Sequence, residues 1–155
     1  MENRMEAVRR LTAAINKLDG AYYQWARRIG IKDNTLTLLY ILQDGRPHSQ
    51  KQICAEWLIP KTTINTVVRE LEDGGYLVLR AEAHTREKFL HLTAEGRAYA
   101  DAILADLLAA EDRAIAQTLS KYSPAFIDAL DAFADRLCEG FRAGNPKKNV
   151  RDDSQ

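Results

Sequence analysis

Residues 61–80 read KTTINTVVRELEDGGYLVLR. Ile64, Val67, Val68 and Leu71 fall at steps of 3, 1 and 3, which lays four apolar side chains along one face of an α-helix. Lys61, Thr62, Asn65, Thr66 and Arg69 are left on the other face, with Thr63 at the boundary. Pro60 stands where its missing N–H costs a helix nothing, and Gly74-Gly75 supplies the stop. The β-prone run Tyr76 to Arg80 follows at once. The stretch therefore predicts an amphipathic helix, a tight exit and a strand.

Working downstream, Lys88 to Leu92 is a second β-prone run, joined to the first by the polar segment 81–87, and the two read as a hairpin. Thr93, with Gly96 nearby, caps a long alanine-rich helix to about Leu119, in which Ala98, Ile103, Leu107, Leu108, Ile115 and Leu119 are available to pack. A break at Ser120 to Pro124 precedes a last helix with Ile127, Leu130, Phe133, Leu137 and Phe141 at heptad-like steps.

Working upstream, Ser49 with Gln52 has capping-box spacing and opens a helix carrying Ile53, Ala55 and Leu58. Before it, a short helix with Leu36, Leu38, Leu39, Ile41 and Leu42 takes Asn34 as its N-cap and ends at Asp44-Gly45-Arg46-Pro47. In the first segment Val8, Leu11, Ile15, Leu18, Tyr22, Trp25 and Ile29 alternate steps of 3 and 4, a heptad seam suited to packing on other helices, and Gly30 stops it.

Composition narrows the function. With 155 residues, 46% hydrophobic and 28% charged, the chain can bury a core, and 8 Gly with 4 Pro favour long helices over a many-stranded barrel. No apolar run approaches the roughly 20 residues of a membrane span, and the start MENRMEAVRR lacks a signal peptide's apolar region, so the expected location is the cytoplasm. Net charge is zero but unevenly spread: seven basic and three acidic residues lie in 1–32, four basic and nine acidic in 93–139. Cys54 and Cys138 fall in no ligand spacing, and His48, His84 and His91 join no cluster, so neither metal nor cofactor is expected. GxSxG, P-loop, GxGxxG and HExxH motifs are absent, which argues against an enzyme and leaves no catalytic residue to name.

Two helices joined by a tight turn, the second with a polar face, are a physical means of entering a DNA major groove. Asn can bond bidentately to adenine, Thr can meet phosphate or a thymine methyl, and Lys or Arg can meet phosphate or guanine. The same residues could equally solvate an exposed helix.

Order along the chain adds a resemblance. KTTINTVVRELEDGGYLVLR (61–80), TREKFLHLTAEGRAYADAIL (85–104) and IGIKDNTLTLLYIL (29–42) resemble the recognition helix, the wing running into the long helix, and the second helix of MarR-type winged helix-turn-helix transcriptional regulators. The "LE..GY...R" and "LT..G" patterns carry the likeness most specifically. It implies a mainly α fold: an N-terminal dimerisation helix (1–32), a winged helix-turn-helix with a small β-hairpin wing (33–93), C-terminal dimerisation helices (94–143) and a disordered tail (144–155), one MarR-type domain in all. It further implies a homodimer on a pseudo-palindromic double-stranded operator, acting as a repressor and released by a small aromatic or anionic effector. The DNA-binding set is then Lys61, Thr62, Thr63, Asn65, Thr66, Arg69, Arg86 and Lys88, and the effector set Tyr22, Tyr23, Trp25 and Tyr40. Two departures stand out: His84 occupies the wing-tip position where the family commonly has Asp, and Thr66 one where it often has a base. Arg80 has a structural alternative at the wing base. Two other readings stay open, a winged-helix module for protein contacts and a cysteine-based redox-sensing regulator, although neither cysteine lies in the first helix.

Overall fold

The computed structural model describes residues 3–144. In chain order it contains α1 (Arg4–Arg28), α2 (Asp33–Leu42), β1 (His48–Ser49), α3 (Gln50–Trp57), α4 (Lys61–Asp73), β2 (Leu77–Ala81), β3 (Lys88–Leu92), α5 (Ala94–Leu119) and α6 (Ala125–Ala143). Two compact units divide this chain, one up to Leu107 and one from Leu108. No helix among the described residues is long and apolar enough to cross a membrane.

The first unit holds the core. Leu38, Leu39, Ile53, Ile64, Leu77, Leu90 and Leu104 are all but inaccessible to water. The inward face of α4 is as expected, with Ile64, Val67, Val68 and Leu71 buried. α3 opens with the anticipated capping box: the Gln52 backbone N–H donates to Ser49 Oγ at 3.1 Å, and the Ser49 backbone N–H to Gln52 Oε1 at 3.0 Å. Each of two otherwise unsatisfied helix-start donors thereby gains an acceptor.

The wing is a three-stranded antiparallel sheet in the order β1-β3-β2, rather than the two-stranded hairpin expected. β1 contributes two pairs, His48 with Leu90 and Ser49 with Phe89. β2 begins at Leu77, because the Tyr76 N–H is taken by the Leu71 carbonyl in the turn that ends α4. Thr93 then ties the wing base together: its hydroxyl donates to the Gly75 carbonyl at 2.7 Å and accepts the Gly96 N–H at 2.9 Å. A Cβ on Gly96 would run into the Tyr76 carbonyl oxygen, so the "LT..G" pattern marks a close approach that only glycine permits. Tyr76 and Tyr99 stack with centroids 4.4 Å apart, and Arg97 donates to the Gln43 carbonyl at 2.8 Å, anchoring the start of α5 to the end of α2.

Several local expectations are corrected. Lys32, not Asn34, is the N-cap of α2, without a side-chain bond, and Asp33 lies in the first turn where its charge suits the helix dipole. Ala55 and Leu58 are exposed, and Leu58 caps α3 in the left-handed region at φ 49. α5 buries Gly96, Ala100, Leu104 and Leu107, while Ala98, Ile115 and Leu119 remain exposed. Cys54 is half-buried, not the small buried residue its place suggested.

In the second unit α6 buries no residue: Leu130 and Phe133 are half-buried, and Ile127, Leu137 and Phe141 are exposed. The heptad seam of α1 is also partly open, at Val8, Leu18 and Tyr22. The expected tail lies, but for Gly144, outside the described residues.

Candidate nucleic-acid interface and cavity

Burial of one face of α4 fixes the other. Lys61, Thr62, Thr66 and Arg69 are exposed, while Thr63 and Asn65 are half-buried. The Thr66 hydroxyl donates to the Thr62 carbonyl at 3.0 Å, so that side chain is spent on its own helix in this state. Asn65 therefore sits closer to the core than the helical spacing suggested, at the edge of the exposed surface.

The wing brings further cations to α4. Lys61 and Lys88 line one cleft of about 400 Å³ with Lys51, Cys54 and Glu87. Lys51, on α3, was not anticipated; it approaches Glu87 at 3.6 Å, across from the wing. Only the tertiary arrangement joins it to Lys61, which lies ten positions away on another helix. Arg86 is exposed near the tip of the wing, two residues after His84, whose φ of 87 places a non-glycine residue in the left-handed region. The Glu87 N–H donates to Thr85 Oγ1 at 3.1 Å and tightens this tip. Such an arrangement can present ammonium and guanidinium groups to phosphates from a helix and a hairpin at once.

The aromatic residues separate into two groups. Tyr22 and Tyr40 line one cavity of about 580 Å³, together with Asp19, Asp33, Trp57 and Leu107. Tyr40 and Trp57 meet edge to face, with centroids 6.3 Å apart. Tyr23 and Trp25 do not line it: Arg27 lies 5.9 Å over the Tyr23 ring, and Arg28 lies 5.8 Å over that of Trp25. The buried Trp25 indole N–H has no acceptor among the described residues. Trp57, Asp19 and Asp33 were not anticipated as cavity residues, because nothing in a linear pattern brings α1, α2 and the end of α3 together.

Both cysteines are free and half-buried. No group of three His, Cys, Asp or Glu among the described residues could hold a metal ion.

Residues 29–87 match the MarR family model. No curated protein matches the chain significantly. Among solved structures, the chain is similar to a MarR family regulator from Neisseria meningitidis, at 24% identity and a TM-score of 0.75 over 88% of this chain and 96% of that one. It is also similar to a MarR family transcriptional regulator from Listeria monocytogenes complexed with 26mer DNA, at 16% identity and a TM-score of 0.61 over 91% and 90% of the two chains. A third likeness is to NadR in complex with 4-hydroxyphenylacetate, at 18% identity and a TM-score of 0.60 over 86% and 91%. The structural likenesses show a MarR-like winged helix-turn-helix fold.

Proposed function

With residues 29–87 carrying a MarR-family winged helix-turn-helix, we propose that this chain, a DNA-binding transcriptional regulator of that family rather than an enzyme, acts in the cytoplasm as a homodimeric repressor on a pseudo-palindromic operator. The observation that carries the reading is the sorting of α4: an apolar face closed into the core and a polar face, Lys61, Thr62, Thr66 and Arg69, left open beside the wing's Lys88. Lys61, Arg69, Lys88, Arg86 and the added Lys51 supply phosphate contacts, and Thr62, Thr63, Asn65 and Thr66 reach base edges, Thr66 by giving up its bond to Thr62.

Two-fold DNA needs a two-fold protein, with recognition helices held about 34 Å apart. Residues 1–32 and 94–143 are the natural dimerisation region, since α1 and α6 keep apolar side chains exposed in the single chain, Val8 and Leu18 on one and Ile127, Leu137 and Phe141 on the other. A small aromatic effector held by Tyr22, Tyr40 and Trp57 would shift the dimer between DNA-competent and released states, by as much as its affinities for the two differ. A ligand named in a relative's structure supports the kind of control and does not identify the molecule.

The test is binding to duplexes selected from a random pool. Affinity is expected to fall linearly in log K against log salt, with a slope of roughly −0.9 per phosphate contact. Arg86→Ala should weaken all sequences alike, whereas Asn65→Ala should relax preference at one base by about 1–3 kcal/mol. A salt-independent affinity, or no duplex retained at low salt, would sink the reading.

A further inference from the structure

The cavity at Tyr22, Tyr40 and Trp57 has an electrical sign. Two of its lining residues, Asp19 on α1 and Asp33 on α2, are carboxylates, and none is Lys, Arg or His. Neither carboxylate is in an ion pair among the described residues. The two features that could draw an anion here are both occupied. Asp33 itself lies in the first turn of α2 and answers the partial positive charge of that helix end. Neighbouring Lys32 is turned to Glu70, its Nζ 2.7 Å from Oε1.

From this we infer that the cavity takes an aromatic cation, such as an amine or quaternary ammonium carried on a ring system, and discriminates against aromatic acids. The inference rests on the effector reading above and gives it a chemical class. An ammonium between Asp19 and Asp33 meets two opposite charges, and the faces of Trp57, Tyr22 and Tyr40 attract a cation through their quadrupoles. An aromatic carboxylate meets the same rings but sets a third negative charge beside two uncompensated ones, in a partly apolar site that screens them less than water does. The neutral polar residues Asn34 and Thr37 can bond either ligand and do not reverse the preference.

Three probes sharing one ring separate charge from shape: naphthylmethylammonium, naphthylmethanol and naphthoate. In calorimetric titrations of the full chain, affinity should fall in that order, the cation binding roughly ten-fold or more tighter than the acid. Asp19→Asn/Asp33→Asn should bring the three within about three-fold of one another, and Asp19→Asn alone should move part of the way, which keeps the test valid if the double variant folds poorly. Naphthoate binding as tightly as the amine, or an order unchanged in the variants, overturns the charge assignment and leaves an effector site standing. Binding by none of the three removes the effector site as well, while operator affinity, measured without any probe, reports separately on DNA recognition.

Discussion

Helices α4 and α6 carry apolar stripes of equal clarity, and the fold treats them oppositely. On α4, Ile64, Val67, Val68 and Leu71 are all closed off from water. On α6 no residue is buried, and Phe141 keeps 74% of its surface. Amphipathic spacing states that a face is apolar; it does not state what covers it. The difference divides the chain by task, since a helix already seated on its own core can offer its polar side to DNA. A helix whose apolar side is still open has association left to do.

Substitutions on the two stripes break the comparison most sharply. Val68→Asp buries an unpaired carboxylate at a site 2% exposed and should cost more than about 4 kcal/mol, unfolding the winged-helix unit. Leu137→Asp/Phe141→Asp, made on exposed positions, should retain helical circular dichroism but convert the dimer to monomer in sedimentation, and lower operator affinity by about a hundred-fold or more as the second half-site is lost. If the α6 variant unfolds as fully as the α4 variant, the stripe belongs to an intrachain core. If it stays dimeric, α6 is not the association surface.

Legibility follows the same division. The α4 stripe, the Ser49–Gln52 capping box and the Thr93–Gly96 junction were readable because each is set by side chains within a few positions of one another. β1 was not, since two residues have no periodicity and become a strand only by pairing with Leu90 and Phe89. The start of α2 was misplaced by one Asx residue, because Asp33 and Asn34 are both plausible at a helix start and the chain takes Asp33 into the first turn. α5 was misread at Ala98 because alanine at most positions leaves little contrast between faces, and the close approach at Gly96 selects which face is buried. The DNA-facing residues lay largely within one helix and one hairpin, yet Lys51 joined them only through the fold. Asp19, Asp33 and Trp57 stand on three elements, and their convergence is tertiary.

A smaller effect sharpens the picture of the closed region. The turn between α3 and α4 passes through Leu58, whose φ of 49 is left-handed and whose side chain is 67% exposed. A residue with a Cβ loses roughly 1–2 kcal/mol there, while an exposed leucine recovers little by burial. Leu58→Gly should stabilise the chain by about 0.5–1 kcal/mol after glycine's greater unfolded-state freedom is deducted, raising Tm by a few degrees. An unchanged or lower Tm would mean that the Leu58 side chain contributes contacts worth as much as the strain.

The smallest effect lies where the chain enters β1. His48 Nε2 stands 2.9 Å from Asp44 Oδ1, and the Arg46 N–H donates to the same oxygen at 2.8 Å. Desolvation pushes the Asp44 carboxyl up, but the Arg46 backbone bond, the His48 bond and the charges of both side chains outweigh it and hold it below the ordinary 3.8. A carboxyl lowered in the folded state binds protons more readily when unfolded, so its stabilisation is complete above the unfolded value and is lost as pH falls through the folded one. At neutral pH Asp44→Asn should therefore cost at most about 1 kcal/mol, as for an exposed pair, and the gap between variant and parent should close as pH drops below 3.8. Thermal melts across that range decide it: a gap that persists in acid would make the loss one of turn geometry rather than charge, because the Arg46 N–H can still donate to the amide oxygen of the substituted residue.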